Sequence, residues 1–162
     1  MANMFPKVFP EHCGKPISGA ERRLFKAFKE QLSSEWYVFH GREYVGLKAP
    51  EHRSPSDGDI DFILVHPALG LLVIEVKGGE IFYDSSEVGG KCSGWFSVDG
   101  NQDRHDIKDP FSQASQNLYA LLKLLKDGNL VSDKTCFHAV AFPDDEDLRK
   151  TPLPPTYRLE LI

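Results

Sequence analysis

The stretch "GDIDFILVHPALGLLVIEVKGG", Gly58 to Gly79, decides how this chain folds. It is apolar almost throughout, and two runs, about 59–66 and 70–77, flank Pro67-Ala68-Leu69. Each run is apolar on both faces, the pattern of a central strand covered by helices on either side. Within them stand Asp61, Glu75 and Lys77. Side chains alternate along a strand, so Glu75 and Lys77 share a face. Asp61 joins them only if the hairpin pairs residues whose numbers sum to an even value. A loop over 67–69, closing between His66 and Gly70, sets Asp61 opposite Glu75. A loop one residue longer turns every side chain to the other face. The reading commits to the shorter loop.

Working outward, "EWYVFHG" reads as a strand, with a weaker one at "EYVGL" and a polar loop over 49–58. "EIFYD", "GWFSVDGN" and "TCFHAVAF" read as later strands. Two helices stand out. In "SGAERRLFKAFKEQL", Ser18 and Glu21 have the spacing of a capping box, and Leu24, Phe25, Phe28 and Leu32 form one apolar face. In "DPFSQASQNLYALLKLLKDGN", Asp109 suits the N-cap, Pro110 the first turn and Gly128 the C-terminal cap. Leu118, Leu121, Leu122 and Leu125 line its apolar face. This order predicts one α/β domain with a mixed central β-sheet flanked by helices on both faces. Residues 1–17 read as an irregular arm, 18–145 as the domain, and 146–162 as loop. The final "RLELI" reads as the start of a further element in a longer parent protein.

Composition sets outer limits. Hydrophobic residues make up 41% and charged residues 27%, enough apolar material for a core. No run approaches a membrane span, and the N-terminus lacks the continuous apolar stretch of a signal peptide. Cys13, Cys92 and Cys136 are widely spread and form no CxxC pair, which disfavours a disulfide framework or zinc knuckle and makes a reduced, cytoplasmic setting the expectation. The net charge of -5 argues against a nonspecific nucleic-acid binder acting through bulk charge. It leaves room for local phosphate contacts or contacts through a metal. No HExxH, GxSxG, Walker lysine loop or GxGxxG occurs, so the common zinc-hydrolase, serine-hydrolase and nucleotide-binding motifs are absent.

Grouped carboxylates in a low-dielectric site repel one another and are costly to desolvate. A divalent cation removes both difficulties, and an all-oxygen ligand set favours Mg²⁺ or Mn²⁺ over zinc. Asp61 and Glu75 are the candidate metal ligands. Lys77 is placed to orient a water or stabilise charge developing on a phosphate. The chemistry suited to this set is metal-assisted phosphodiester hydrolysis. Other readings stand beside this one. Glu21 either completes the capping box or adds a further acid to the site. Asp61 at a strand start can bond backbone amides, and Glu75 and Lys77 can form a structural ion pair. Gln113 and Gln116 lie in the first turns of a helix, where amides can meet phosphate or merely face solvent. Gly78-Gly79 reads as a strand break or as a close backbone approach to phosphate. Arg22, Arg23 and Arg53 are either backbone contacts to nucleic acid or ordinary surface.

At these residues the chain resembles the nuclease-related domain (NERD) family. "GAERRLFKAF", "GDIDFILVHPALGLLVIEVKGG", "GWFS" and "DPFSQA" carry the resemblance, over about 17–142. The family looks like a branch of the PD-(D/E)xK phosphodiesterase superfamily, which implies a restriction-endonuclease-like core. Matched position by position, the resemblance assigns the motif acid to Asp61, the D/E-x-K element to Glu75-Val76-Lys77, the first-helix acid to Glu21 and the later helical glutamine to Gln113. Ile60 stands where the name-giving proline would be, and Asp59 rivals Asp61 as the motif acid. The implied activity is a Mg²⁺- or Mn²⁺-dependent DNA nuclease, often joined to a helicase or another DNA-processing module. The alternative is a noncatalytic module that uses the same cleft to hold DNA or a partner protein.

Overall fold

The computed structural model describes residues 1–10, 18–44, 58–88, 91–128 and 135–145. A five-stranded mixed sheet forms its centre, in the order β1 (Asn3–Phe5), β2 (Tyr37–Tyr44), β3 (Gly58–His66), β4 (Gly70–Val76) and β8 (Cys136–Ala141). β2, β3 and β4 are antiparallel neighbours, and β1 and β8 add to the two edges in parallel. A parallel neighbour requires a crossover, and helix α2 (Pro110–Asp127) lies on the path from β4 to β8.

The two helices cover opposite faces. Helix α1 (Gly19–Gln31) places Ala20 and Phe25 against Val38, Phe62, Leu64, Ile74 and Val76. Helix α2 sets Leu118, with Leu121 and Leu122, against Ile63 and Val73. The split follows strand alternation: 62, 64, 74 and 76 face α1, while 63 and 73 face α2. Phe62 and Val73, one on each face, are fully buried. A fully buried side chain of this size contributes about 1.5–3 kcal/mol, so the hairpin is fixed by its apolar residues before its charges are considered. The ends of α2 are formed as the sequence implies. Asp109 accepts from the Phe111 and Ser112 amides, and Gly128 caps the C-terminus.

The hairpin turn has the shorter form. His66 pairs with Gly70 and Phe62 with Ile74, so 67–69 make the loop. His66 Nδ1 accepts from the Ala68 and Leu69 amides, at 3.1 and 3.3 Å, and so braces the turn. Gly70 has φ +104, and a Cβ there would strike the Thr135 carbonyl oxygen, so β8 can approach only a glycine.

Two features differ from the expected single sheet and irregular arm. The strands β5 (Glu80–Val88), β6 (Lys91–Val98) and β7 (Arg104–Asp106) form a separate three-stranded sheet. Its buried residues Ile81 and Trp95 pack on Phe111 of α2 and on Phe142 after β8, giving a second small core. At the other edge, residues 3–5 of the supposed arm pair with Tyr37 to Phe39. Three residues carry no readable period, and the open edge of β2 supplies their order. The expected loop over 49–58 lies outside the described residues except Gly58, as do "RLELI" and most of "EYVGL".

Candidate active site

β3 and β4 part company at the end of their ladder, where Phe62 and Ile74 are the last paired residues. One step further, Asp61 lies on the line opposite Glu75, but its carboxylate turns along the sheet. Asp61 Oδ2 accepts from the Val76 amide at 2.7 Å. The expected register therefore holds, and the structure adds the backbone bond that fixes Asp61 in place.

Glu75 is 4% exposed and has a partner on each oxygen. Lys77 Nζ donates to Oε1 at 2.8 Å, from the same face of the strand. Asn117 Nδ2 donates to Oε2 at 3.1 Å, and also to the Asp59 carbonyl at 3.2 Å. Asn117 is itself buried on α2, so one amide ties the helix to both hairpin strands at the charged end of the sheet. Burial, then the charge of Glu75, pushes the Asp61 carboxyl up from 3.8 to about 7. The Val76 amide pulls it down, Glu21 adds to the rise, and Lys77 opposes it. The site thus concentrates more negative charge than its one ammonium balances.

Glu21 stands at the margin of this set. Its amide donates to Ser18 Oγ at 3.2 Å, which is half of a capping box. Its carboxylate instead meets His40 Nε2 at 2.8 Å. His40 is 6% exposed and sits among the rings of Phe9, Phe25 and Phe62. Its Nδ1 is buried without a hydrogen-bond partner among the described residues. Glu21 is therefore a positioned acid within electrostatic reach of Asp61.

Of the residues expected at the site, the structure gathers Asp61, Glu75 and Lys77 and sets Glu21 beside them. Gln113 lies one helical turn before Asn117 on the same face of α2. No side-chain bond joins it to the acids, and its Oε1 is buried without a partner among the described residues. Gln116 is exposed. Asp59 is exposed while Asp61 is half-buried, so burial and charge favour Asp61 as the motif acid. Gly78-Gly79 is a strand break rather than an open phosphate cradle. The Gly79 amide donates to Asp144 Oδ2 at 3.0 Å, and Asp144 in turn pairs with Arg23 at 2.9 Å. Arg53 lies outside the described residues.

Sequence reasoning passed over Asn117 and His40. A signal existed for each: an asparagine beside Leu118 within the leucine face of α2, and a histidine at the inward-facing position two after Val38 in β2.

Among the described residues, no three His, Cys, Asp or Glu side chains gather closely enough to hold a metal ion by themselves. Two carboxylates with one lysine at a strand end, in a mixed sheet between helices, define an α/β domain with a nuclease-like core of the PD-(D/E)xK kind. Comparison with protein families agrees. The family model described as nuclease-related domain matches residues 18–143, most of the chain, and the chain belongs to that family. Searches of curated proteins and of solved structures found no match. No helix among the described residues is long and apolar enough to cross a membrane.

Proposed function

We propose that this domain is a divalent-metal-dependent DNA nuclease that hydrolyses phosphodiester bonds, acting in the cytoplasm within a DNA-processing protein such as a helicase–nuclease. The observation that carries the reading is the pair of half-buried Asp61 and buried Glu75, the charge of Glu75 raising the Asp61 carboxyl, with Lys77 2.8 Å from Glu75. Mg²⁺ commonly takes one or two protein carboxylates and leaves its other positions to water and substrate phosphate. A two-carboxylate set fits that habit and does not fit a closed structural zinc site. Asp61 and Glu75 would hold the ion, which would supply positive charge to the phosphoryl group and the attacking water.

The protein's own groups account for the remaining roles. Lys77 presents an ammonium to charge developing on the phosphate. Asn117 locks Glu75 in one orientation, so that an oxygen does not have to be recruited from a mobile side chain. His40 holds Glu21 close enough to add to the negative field at Asp61. Gln113 offers a buried acceptor oxygen one turn along α2.

The test is a panel of labelled single-strand, duplex, flap and RNA substrates with Mg²⁺ or Mn²⁺. Glu75→Gln and Lys77→Ala, checked for folding at the assay temperature, are expected to abolish cleavage of whichever DNA form the wild type cuts. Equal cutting by all three proteins would remove the proposal. A second reading has one observation in its favour: both Glu75 oxygens already have protein partners. On that reading the charges are satisfied internally and the cleft is a noncatalytic DNA- or partner-binding surface. Calorimetry with Mg²⁺ and Mn²⁺ separates the two, because the noncatalytic module binds DNA while taking up no metal at millimolar concentration.

A further inference from the structure

The chain carries a net charge of -5, yet one face departs from that balance. Helix α1 contains Arg22, Arg23, Lys26 and Lys29 against Glu21 and Glu30. Glu21 is turned to His40 and Arg23 to Asp144. What remains on the open side is Arg22, Lys26 and Lys29, spaced four and three residues apart, which lines them along one side of the helix. Their neutralisation is slight. Lys26 reaches Glu30 only at 4.0 Å, on an exposed surface where such a pair is weak. Arg22 lies over the Phe9 ring, 5.6 Å from its centroid, and Lys29 donates to the Lys7 carbonyl at 3.5 Å. Neither has a carboxylate partner among the described residues. Arg22 also falls where α1's first turn ends, and the helix dipole disfavours a cation there.

These three cations, with the single acid Glu30 among them, rim a trough between α1 and the N-terminal residues, about 300 Å³ in volume, whose apolar lining is Met1, Val8, Phe9 and Phe25. Met1 and Val8 are 78% and 70% exposed. Glu21, whose charge reaches Asp61, precedes Arg22 in the first turn of α1. An apolar, partly aromatic floor with a cationic rim matches a polynucleotide strand: phosphates meet the rim, and sugar and base faces meet the floor.

We propose that the trough along Arg22, Lys26 and Lys29 binds the phosphate backbone of a nucleic-acid strand. This rests on the nuclease reading but is tested separately from it. The assay is fluorescence-anisotropy binding of a labelled 30-nucleotide strand, and of its duplex, to the full chain in chelator, so that no cleavage occurs. The variant is Arg22→Gln/Lys26→Gln/Lys29→Gln, which keeps the side-chain stems and is checked by circular dichroism. Each lost phosphate contact removes about 0.7 from the slope of log affinity against log salt for a single strand. The variant is therefore expected to show a slope smaller by about 2, and at least a tenfold loss of affinity at low salt. Unchanged affinity and slope overturn the proposal, as does a wild type that binds no nucleic acid. Loss of binding to anionic vesicles, with nucleic-acid binding intact, also overturns it and makes the face a lipid-binding surface. If the wild type cuts DNA while the variant binds normally, only the trough fails. If the variant loses binding while the wild type never cuts with Mg²⁺ or Mn²⁺, only the nuclease reading fails.

Discussion

Replacing Asp61 by Asn isolates the electrostatic strain of the site. Asn is nearly the same size and keeps an oxygen to accept from the Val76 amide, so the backbone bond at 2.7 Å can survive. Only the ionisable proton is removed. In the folded protein the Asp61 carboxyl is raised to about 7, against 3.8 for an ordinary aspartate. Its folded value therefore lies above its unfolded value. Its contribution to stability is fully present below pH 3.8 and is lost as pH rises to about 7, because the unfolded chain ionises first. At about 1.4 kcal/mol per pH unit, the loss comes to roughly 4 kcal/mol by pH 8. The variant carries no such penalty. Urea unfolding at steps from pH 4.5 to 8.5, in chelator, measures this directly. The pH-dependent difference between the two proteins should already be about 1 kcal/mol at pH 4.5 and grow with pH in favour of Asn. With a urea slope of about 2 kcal/mol per molar, the midpoints should separate by roughly 1.5–2 M at pH 8. Carboxylates remote from Asp61 titrate alike in both proteins and cancel. A difference that stays flat across the range, or a wild type more stable at pH 8, would show that Asp61 is not strained and would remove the main physical argument for a metal.

Four further outcomes follow from the same geometry. Adding 10 mM Mg²⁺ or Mn²⁺ at pH 8 should raise the wild-type midpoint, by about 1.4 kcal/mol for a millimolar site, and leave Asp61→Asn nearly unmoved; equal shifts refute a site at Asp61. Lys77→Met should destabilise the metal-free protein by about 3 kcal/mol, because it leaves the buried Glu75 charge with only Asn117, and a melting temperature within a degree or two of wild type would count against the pair. Gly79→Ala should lower stability by more than about 1 kcal/mol, since Gly79 has φ +82 and a Cβ would lie 2.6 Å from the Val98 carbonyl oxygen; a neutral thermal shift would contradict that. His40→Ala should cost about 2 kcal/mol or more by opening a cavity among Phe9, Phe25 and Phe62, while a denaturation curve overlaying wild type would mean the ring is not packed as described.

What the sequence made legible was what depends on local period and short range. The hairpin register followed from the length of one turn, and the common face of Glu75 and Lys77 followed from strand alternation. Both helix starts followed from capping residues. What stayed hidden depends on meetings between distant segments. That β5, β6 and β7 leave the main sheet is decided at Gly78-Gly79, where Asp144, 65 residues later, takes the Gly79 amide. The partner of Glu75 is Asn117, 42 residues away on another element, and nothing in the spacing of either residue names the other. His40 and Glu21 meet across 19 residues, because a strand and a helix happen to share the Phe25 and Phe62 core.

The covered sheet and the charged site are one physical arrangement. Helix α2 buries the β4 face with leucines and, at the same end of the sheet, inserts Asn117 against Glu75. The burial that stabilises the hairpin is the same burial that holds the Asp61 carboxyl near 7. A more open sheet would relax the carboxylates and lose the fold's central contacts together. A deeper one would force both acids to be neutral, and neutral acids bind a divalent ion poorly. Between these limits the site keeps two carboxylates close, one ammonium short of balance. That deficit of positive charge is what a divalent cation would address.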